Sequence, residues 1–523
     1  MTISDPAQKP PRRRASSRHR AQWYDRVPLM VLTTAIGAVL MIVPAIYAGL
    51  NGEHDAGRPF LYGAIVFTVL SFLVGLSVAT RPVSKTARGH LMSLLITYLA
   101  LPVMLAAPLY EAIPDLSFSN AWFEMVSSLT TTGATVFSQP ARVPDTIHLW
   151  RALVGWYGGF MIWVAAIAIL APVRVGGFEL VLASVHVGGA VSRGQTAQSD
   201  FPMRRILRFS RGLAPIYGGL TLVVWLMLLI AGEDPFVGAC HAMSALASSG
   251  ISPLVSLQES SASHWGEAVL LAAMVFALSR ATFANDMPTP IGRRWWQDPE
   301  IRIAATLLIA VPTLIFVHHW VSLYDVGGGT PDPLRSLWGS LFMTMSFLTT
   351  NGFISAEWEI ARNWSGITTP GLILLGLAMV GGGVATTAGG VKLLRVYVLY
   401  RHGRFESARL VHPRLTASPG HRARRFKVEA AYSAWLSFML FALVFTFIML
   451  ALSLTGLTFE TNMILTTAAL TNAGPLTAVA GLSPIVMGDL GAAAQIILGV
   501  AMVLGRLETL AIIALLNPEF WRA

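Results

Sequence analysis

Long apolar segments alternate with short polar connections along almost the whole chain. Clear apolar runs cover residues 27–50, 213–231, 301–320 and 436–454. Each approaches or exceeds the roughly 20 residues that a helix needs to cross a bilayer. The pattern predicts an all-α polytopic membrane protein.

Four small polar stretches, each containing a glycine, repeat between these apolar segments. We call them Gly runs 1 to 4; they cover residues 129–135, 246–252, 348–354 and 470–476, with their glycines at Gly133, Gly250, Gly352 and Gly474. The stretches before them, 122–129, 236–246, 334–348 and 462–470, are long enough for half-helices. Four copies predict four pseudo-symmetric helix, pore loop and helix units around one central pore.

The repeat divides the chain into successive blocks. We expect a basic tail at 1–26, a two-helix membrane domain at 27–85, and pore units 1, 2 and 3 at 86–175, 205–290 and 300–400. A basic linker at 401–427, whose Pro413 and Pro419 argue against one continuous helix, precedes pore unit 4 at 428–523. The N-terminal pair has no Gly run and stands apart from the repeat.

Composition agrees with a membrane setting, and the placement of charge adds an orientation. The chain is 54% hydrophobic and 12% charged, with a mean hydropathy of +0.61. Its net charge of +10 comes from basic clusters at 12–26, 81–88, 174–211, 293–302 and 401–427, on alternate connections. The positive-inside rule then places both termini in the cytoplasm and opens the Gly runs to the outside. Because topology explains the basic charge, we expect no nucleic-acid partner.

The residues around the Gly runs indicate which ion would pass. Residues 121–138, 235–256, 336–356 and 461–488 contain no Lys or Arg, and Glu124 is their only acid. An anion pore or a carboxylate ring for divalent cations would need such charges. Glycine lets backbone carbonyls turn inward, and half-helix C-termini add partial negative charge. Neutral carbonyls favour a weakly hydrated monovalent cation, with potassium the leading candidate.

The Gly runs resemble the filters of a known superfamily. Residues 123–135, Phe-Glu-Met-Val-Ser-Ser-Leu-Thr-Thr-Thr-Gly-Ala-Thr, are similar to the first filter of the Trk/Ktr/HKT potassium transporters. Residues 241–250, 345–353 and 470–475 resemble the other three, and 149–159 the helix after the first filter. The match runs from about residue 90 to the C-terminus, and the extra N-terminal pair resembles the bacterial TrkH-type branch.

The resemblance implies a function and a set of ion-binding residues. Such a protein takes up potassium across the bacterial inner membrane, is no enzyme, and carries K⁺ as its permeant ion without a bound cofactor. Glycine at all four filter positions is associated there with potassium selectivity. The implied ion-coordinating carbonyls, next to the four glycines, are those of Thr131, Thr132, Ser248, Ser249, Thr350, Asn351, Asn472 and Ala473.

The resemblance also implies partners. Members of the superfamily are usually homodimers with one pore per protomer, embedded in the lipid bilayer. A cytosolic nucleotide-binding ring of the TrkA type regulates them. This sequence has no nucleotide-binding motif, so nucleotide control would belong to the partner.

A glycine-rich segment and an arginine form a candidate gate. The glycines between residues 381 and 390 would break a membrane helix, and the segment resembles the gating loop that lies beneath the filter in the superfamily. This chain has Ala385 where members commonly carry glycine. Arg506 interrupts the last apolar segment, and a charge at membrane depth usually faces a cavity or a partner. The expected gate residues are Gly381, Gly382, Gly383, Thr386, Thr387, Gly389, Gly390 and Arg506.

Other polar residues have simpler interpretations. We expect Glu124 to be a structural acceptor behind the filter, and His241 to be a packing residue. Lys392 and Arg395 are expected to snorkel to the membrane interface. Glu508, two positions from Arg506, lies on another helix face and need not be its partner.

Three alternative functions stay open at the level of sequence. A sodium-permeable or cation-coupled symporter of the same superfamily would share these motifs. A secondary transporter of another substrate would also use broken helices, but its polar residues concentrate on a few helices. A membrane enzyme would need a catalytic cluster, and no motif links Glu124, His241 and Arg506.

Overall fold

Helices account for all regular structure in the part of the chain that the structure describes. The computed structural model describes residues 28–78, 87–170, 202–279, 298–322, 333–367, 369–412 and 421–508. Within these ranges, seven helical segments are long and apolar enough to cross a membrane: Leu29–Asn51, His54–Val78, Leu91–Ala112, Asp145–Leu170, Met203–Ile230, Pro299–His318 and Ala430–Ser453. The chain is therefore an all-α polytopic membrane protein, as the apolar pattern predicts.

The N-terminal pair packs against pore unit 1. Its first span, Leu29–Asn51, is made of helices Leu29–Leu40 and Ile42–Asn51, and its second is helix His54–Val78. Glu53, in the turn between them, accepts backbone N–H groups of Asp145 and Thr146 at 3.3 and 3.0 Å. A carboxylate is favourable at the N-terminus of the helix that begins at Asp145. The Tyr157 hydroxyl donates to the carbonyl of Thr33 at 3.0 Å, which fixes the same helix against the pair.

Each of the four units contains an outer helix, a pore helix and an inner helix. The outer helices are Ala87–Ala112, Pro202–Ile230, Pro299–Ser322 and His421–Ser453. The pore helices are Phe118–Leu129, Pro235–Ala247, Pro333–Leu348 and Phe459–Leu470. The inner helices are Asp145–Ala165, Ser263–Met274, Gly371–Val380 and Ala492–Arg506, and Ala166–Leu170 extends the first as a π-helical turn.

Local sequence explains where the pore helices begin. Ser117, Asp234 and Thr458 stand at the N-caps of pore helices 1, 2 and 4, and each side chain accepts a backbone N–H of the first turn. Such capping satisfies first-turn backbone donors that have no partner within the helix. The C-terminal ends of all four pore helices lie at the Gly runs.

Burial separates a protein core from a lipid-facing surface. In the inner helix of unit 1, 78% of the most apolar window is buried, compared with 11% in His54–Val78. Most exposed side chains of that second N-terminal helix are large and apolar, among them Phe72 and Leu76. An apolar exterior around a buried centre is what a bilayer environment favours.

Two helices cross the block boundaries that the sequence predicts. Helix Leu393–Val411 runs across the expected end of unit 3 at 400, and helix His421–Ser453 runs across the expected start of unit 4 at 428. The 401–427 linker is thus helical on both sides of the undescribed residues 413–420. A further helix, Trp358–Ser365, follows Gly run 3. The basic tail at 1–26 lies outside the described residues.

Candidate functional site

The four pore helices end in the same backbone geometry. In each Gly run, the residue before the glycine donates its N–H to the carbonyl five positions back, in the pore helix. The four N–H to carbonyl pairs are Thr132 to Ser127, Ser249 to Ser244, Asn351 to Ser346 and Ala473 to Ala468, at 2.8, 3.1, 2.8 and 2.9 Å. This bond pattern terminates a helix when the preceding residue is left-handed.

That preceding residue is left-handed in all four runs, although none of the four is glycine. The φ angles are 54° at Thr131, 52° at Ser248, 54° at Thr350 and 52° at Asn472. A non-glycine residue in this region costs about 1–2 kcal/mol. Repeated strain of this kind is typical of functional sites. The sequence repeat is therefore also a repeat of backbone conformation.

Close contacts between neighbouring Gly runs arrange them in a ring. A Cβ built on Gly133 would lie 1.9 Å from the carbonyl oxygen of Ser249, and one on Gly250 would lie 2.2 Å from that of Asn351. The same construction on Gly352 meets Pro475 Cγ at 2.7 Å, and on Gly474 it meets Ala134 N at 2.1 Å. The contacts join runs 1 to 2, 2 to 3, 3 to 4 and 4 to 1. The ring is closed, in part, by the Gly474 N–H, which donates to the Thr132 carbonyl at 2.7 Å.

Both backbone conformation and close packing in the ring favour glycine at these positions. Gly133, Gly250 and Gly352 have positive φ angles, of 74°, 63° and 81°. Gly474 has no positive φ, so only the contact with its neighbour excludes a side chain there. Sequence reasoning anticipated the conformational requirement but not the contact.

Several buried oxygen atoms in the Gly runs have no hydrogen-bond partner. Among the described residues they include Thr131 Oγ1, Asn351 Oδ1 and Asn472 Oδ1, in runs 1, 3 and 4. The first threonines of runs 1, 3 and 4 differ, because Thr130, Thr349 and Thr471 donate back into their own pore helices at 2.7–2.8 Å. Unsatisfied buried acceptors suit a desolvated cation.

The predicted glycine-rich break is present, and it forms a loop. The inner helix of unit 3 ends at Val380, and the next helix begins at Leu393. The N–H groups of Val391 and Lys392 donate to the carbonyls of Met379 and Val380, both at 2.9 Å. These bonds join the two ends of the loop at residues 381–392, which we call the intramembrane loop.

The second half of the intramembrane loop contacts three Gly runs. Thr387 shares a 2.5 Å hydrogen bond with the hydroxyl of Ser248 in run 2. The Gly389 N–H donates to Thr350 Oγ1 in run 3 at 2.7 Å. A Cβ on Gly389 would lie 1.8 Å from the Thr471 carbonyl oxygen in run 4. The loop is therefore packed directly against the ring.

The glycines at the start of the loop have a different neighbour. A Cβ on Gly382 would approach the Ala277 carbonyl oxygen at 2.7 Å, and one on Gly383 would approach that of Leu278 at 2.4 Å. These residues follow the inner helix of unit 2. Gly381 and Gly390 both have positive φ, of 72° and 78°, at the two ends of the loop.

Arg506 lies beside the intramembrane loop, as the sequence predicts. Its side chain is 5% exposed, and its Nη1 donates to the Thr387 carbonyl at 2.5 Å. It lines a cavity in which the centre of a water molecule can occupy about 20 Å³. The other lining residues include Ala385, Thr386, Lys392, Asn472 and Glu508. A cavity of that size holds about one water molecule, so the space between the loop and Arg506 is too small for a hydrated cation.

The expectation that Lys392 and Arg395 snorkel to the interface is wrong. Lys392 is 5% exposed, and its ammonium donates to the Ala388 carbonyl within the loop. Arg395 is 4% exposed and pairs with Glu508 at 2.6 Å. Because partners are available in the protein, neither side chain has to reach the membrane surface. Glu508 is accordingly the partner of Arg395 and not of Arg506.

Glu124 is a structural acceptor behind Gly run 1, as expected. Its Oε1 accepts from Arg151 Nε at 2.5 Å, and its Oε2 accepts from the Val136 N–H at 2.9 Å. Sequence reasoning missed Arg151, although an arginine inside an apolar helix is itself a reason to look for an acid. His241 is fully buried and hydrogen-bonds Ser252 at 2.8 Å, which agrees with a packing role.

Comparison with known proteins identifies the family. The family model TrkH, described as a cation transport protein, matches residues 61–283 and 295–521. The chain belongs to the TrkH family. Its membership confirms the resemblance given by the Gly runs, and it places this TrkH-family chain among cation transport proteins and not among enzymes.

Named relatives and a solved structure cover nearly the whole of this TrkH-family chain. The Trk system potassium uptake protein TrkH of Vibrio parahaemolyticus is 30% identical over 524 residues, 96% of this chain and 100% of that protein. TrkH of Escherichia coli is 29% identical over 494 residues, 92% of this chain and 96% of that protein. The crystal structure of the potassium transporter TrkH from Vibrio parahaemolyticus has a TM-score of 0.78 at 26% identity, and the match covers 96% of this chain and 100% of that one.

Proposed function

We propose that this chain takes up potassium through a filter formed by the four Gly runs. The observation that carries the proposal is the closed ring, in which each glycine lies against the backbone or Pro475 of a neighbouring run. A ring of this kind surrounds a single path, and the buried oxygens of Thr131, Asn351 and Asn472 are available acceptors beside it. The relatives named as Trk system potassium uptake proteins support the choice of ion.

In this proposal, the eight carbonyls beside the glycines replace the hydration shell of K⁺. They are the carbonyls of Thr131, Thr132, Ser248, Ser249, Thr350, Asn351, Asn472 and Ala473. Neighbouring runs pack closely and so hold these carbonyls in place. A Cβ built on any of three of the glycines would lie about 2 Å from a backbone atom of the adjoining run. Potassium is the permeant ion and no cofactor takes part.

The intramembrane loop and Arg506 act as the gate below the filter. The loop is held against Gly runs 2, 3 and 4 by Thr387 and Gly389. Arg506 donates to the Thr387 carbonyl and adds a positive charge beside the path. Opening then requires the loop and Arg506 to separate, which widens the cavity between them.

The assembly we propose has further parts. The chain forms a homodimer in the bacterial inner membrane, with both termini in the cytoplasm. A cytosolic nucleotide-binding subunit of the TrkA type controls the gate. The name "Trk system" of the relatives supports a protein with more than one component.

The test is cation influx in a bacterium that lacks its own potassium uptake systems. Rubidium and sodium influx are measured with this chain alone and with a TrkA-type subunit added. Rubidium influx well above sodium influx supports the proposal, whereas equal influx of the two ions contradicts it. Gly376→Ala is a matched control, because a Cβ at that helical position meets nothing within 4 Å.

A further inference from the structure

A buried ion pair lies directly behind Gly run 1. Glu124, in pore helix 1, is 1% exposed, and Arg151, in the inner helix of the same unit, is 2% exposed. Their contact, Oε1 to Nε, measures 2.5 Å. A buried pair needs further hydrogen bonds to offset the loss of hydration. The remaining partners of the pair therefore show which part of the protein it holds.

Those partners, directly or through His148 of the inner helix, lead to the segment that leaves Gly run 1. The second carboxylate oxygen of Glu124 accepts the Val136 N–H at 2.9 Å. The guanidinium of Arg151 lies 5.5 Å from the centre of the Phe137 ring. His148 connects Arg151 Nη1, at 3.2 Å, to the Pro140 carbonyl, at 3.0 Å. The pair thus attaches residues 136–140 at three points to two helices.

In the other units, the side chain at the position of Glu124 offers a weaker contact, or none, to the residues just after the filter glycine, which we call the exit segment. Nine residues before each filter glycine stand Glu124, His241, Met343 and Leu465. His241 bonds the Ser252 hydroxyl at 2.8 Å, and Met343 Sδ accepts the Ser355 N–H at 3.5 Å. Leucine offers no polar atom. A charged acceptor makes a stronger bond than a thioether, so among these four side chains Glu124 makes the strongest bond to an exit segment.

We propose that Glu124 and Arg151 are positioning residues that determine the preference for potassium over sodium. They do not touch the path themselves; they fix the segment after Gly133, so that the carbonyls of run 1 keep their spacing. Carbonyl spacing discriminates between ions only when the supporting groups hold it within a fraction of an ångström. The inference rests on the proposed function, because it assumes that the Gly runs are the filter.

Two substitutions test the pair, with the ratio of sodium to rubidium influx as the readout. Glu124→Gln keeps the size of the side chain but removes its charge. Arg151→Lys keeps the charge but lacks the Nε donor and the planar group beside Phe137. We expect Glu124→Gln to raise the ratio about threefold to tenfold, the effect of losing one ordinary hydrogen bond, and Arg151→Lys to raise it by a smaller factor.

A matched control separates positioning from a general loss of structure. Glu233 is also a buried carboxylate on the outer side; it accepts from Ser260 and Ser261, which lie outside the Gly runs. Glu233→Gln should leave the influx ratio unchanged. If Glu124→Gln lowers both influxes in proportion, at equal amounts of protein in the membrane, the pair is merely structural and the inference is overturned.

Further outcomes distinguish this inference from the proposed function. Should Gly133→Ser raise the influx ratio while Glu124→Gln and Arg151→Lys leave it unchanged, the filter stands and the positioning role is rejected. Equal rubidium and sodium influx through the unaltered protein would instead reject the filter and this inference with it. If Glu124→Gln does not accumulate in the membrane, the ratio of Arg151→Lys decides alone, and an unchanged ratio rejects the role.

Discussion

Gly389 offers the sharpest test of the intramembrane loop. Its N–H donates to Thr350 Oγ1 at 2.7 Å, and a Cβ built on it lies 1.8 Å from the Thr471 carbonyl oxygen. Both contacts are with the ring of Gly runs. Gly389→Ala therefore places a methyl group where only a hydrogen fits, at the interface between the loop and the ring of Gly runs.

The size of the effect follows from these two contacts. A carbon and an oxygen cannot approach to 1.8 Å, so loop and ring must separate by about 1.5 Å. The separation breaks the bond to Thr350, worth about 1 kcal/mol, and overpacking costs about 1–3 kcal/mol. The docked loop is destabilised by about 2–4 kcal/mol in all. At the lower value, the ratio of closed to open protein falls about 30-fold.

Rubidium influx without a TrkA-type subunit measures this change. If the docked loop blocks the path, Gly389→Ala raises influx several-fold at equal amounts of protein in the membrane. Gly376→Ala serves as the control, since its Cβ meets nothing within 4 Å. Unchanged or lower influx through Gly389→Ala would refute the assignment of the loop as a gate.

Three other substitutions have defined outcomes. Gly133→Ser forces Gly runs 1 and 2 apart, because its Cβ would lie 1.9 Å from the Ser249 carbonyl oxygen; sodium influx should rise relative to rubidium, and an unchanged ratio contradicts the filter. Arg506→Ala removes a positive charge and a hydrogen bond to the Thr387 carbonyl, and such a charged bond is worth about 1.5–3 kcal/mol. Rubidium influx should rise about tenfold, and influx equal to that of the unaltered protein rejects the gate role. Ala385→Gly relieves about 1 kcal/mol of strain at a φ of 60° and so favours the docked loop; influx should fall about fivefold, while a rise would mean that added mobility dominates.

The sequence predicted the elements of the fold well because a local pattern marks each of them. The expected half-helix at 462–470 corresponds to Phe459–Leu470, and the expected one at 334–348 to Pro333–Leu348. Their ends agree because the Gly runs terminate the helices. Their starts lie one and three residues before the expected ones, at Pro333 and at Phe459, and the second follows the Thr458 cap outside the expected stretch.

The sequence did not predict contacts that depend on how helices and units pack together. Arg151 lies 27 positions after Glu124, and nothing local indicates that these two side chains meet. The contact of Gly133 with Ser249 joins two units and appears only when the ring is assembled.

The sequence also did not predict how deeply a charged side chain is buried. Lys392 follows a glycine-rich stretch and starts a basic helix, a pattern that is typical of an interface residue. The loop turns back into the protein, however, and brings Lys392 into the cavity beside Arg506. Chain order alone does not give the path of a non-helical segment.

The packing of the intramembrane loop on three Gly runs has a thermodynamic consequence. Since Thr387 and Gly389 bond to Ser248 and Thr350, a shift of the loop and a change in those runs cannot be independent. Linkage then requires reciprocity: if an open loop weakens cation binding in the ring by some factor, an empty ring favours the open loop by the same factor. If the loop acts as the proposed gate, the external cation would regulate that gate as well as pass through it.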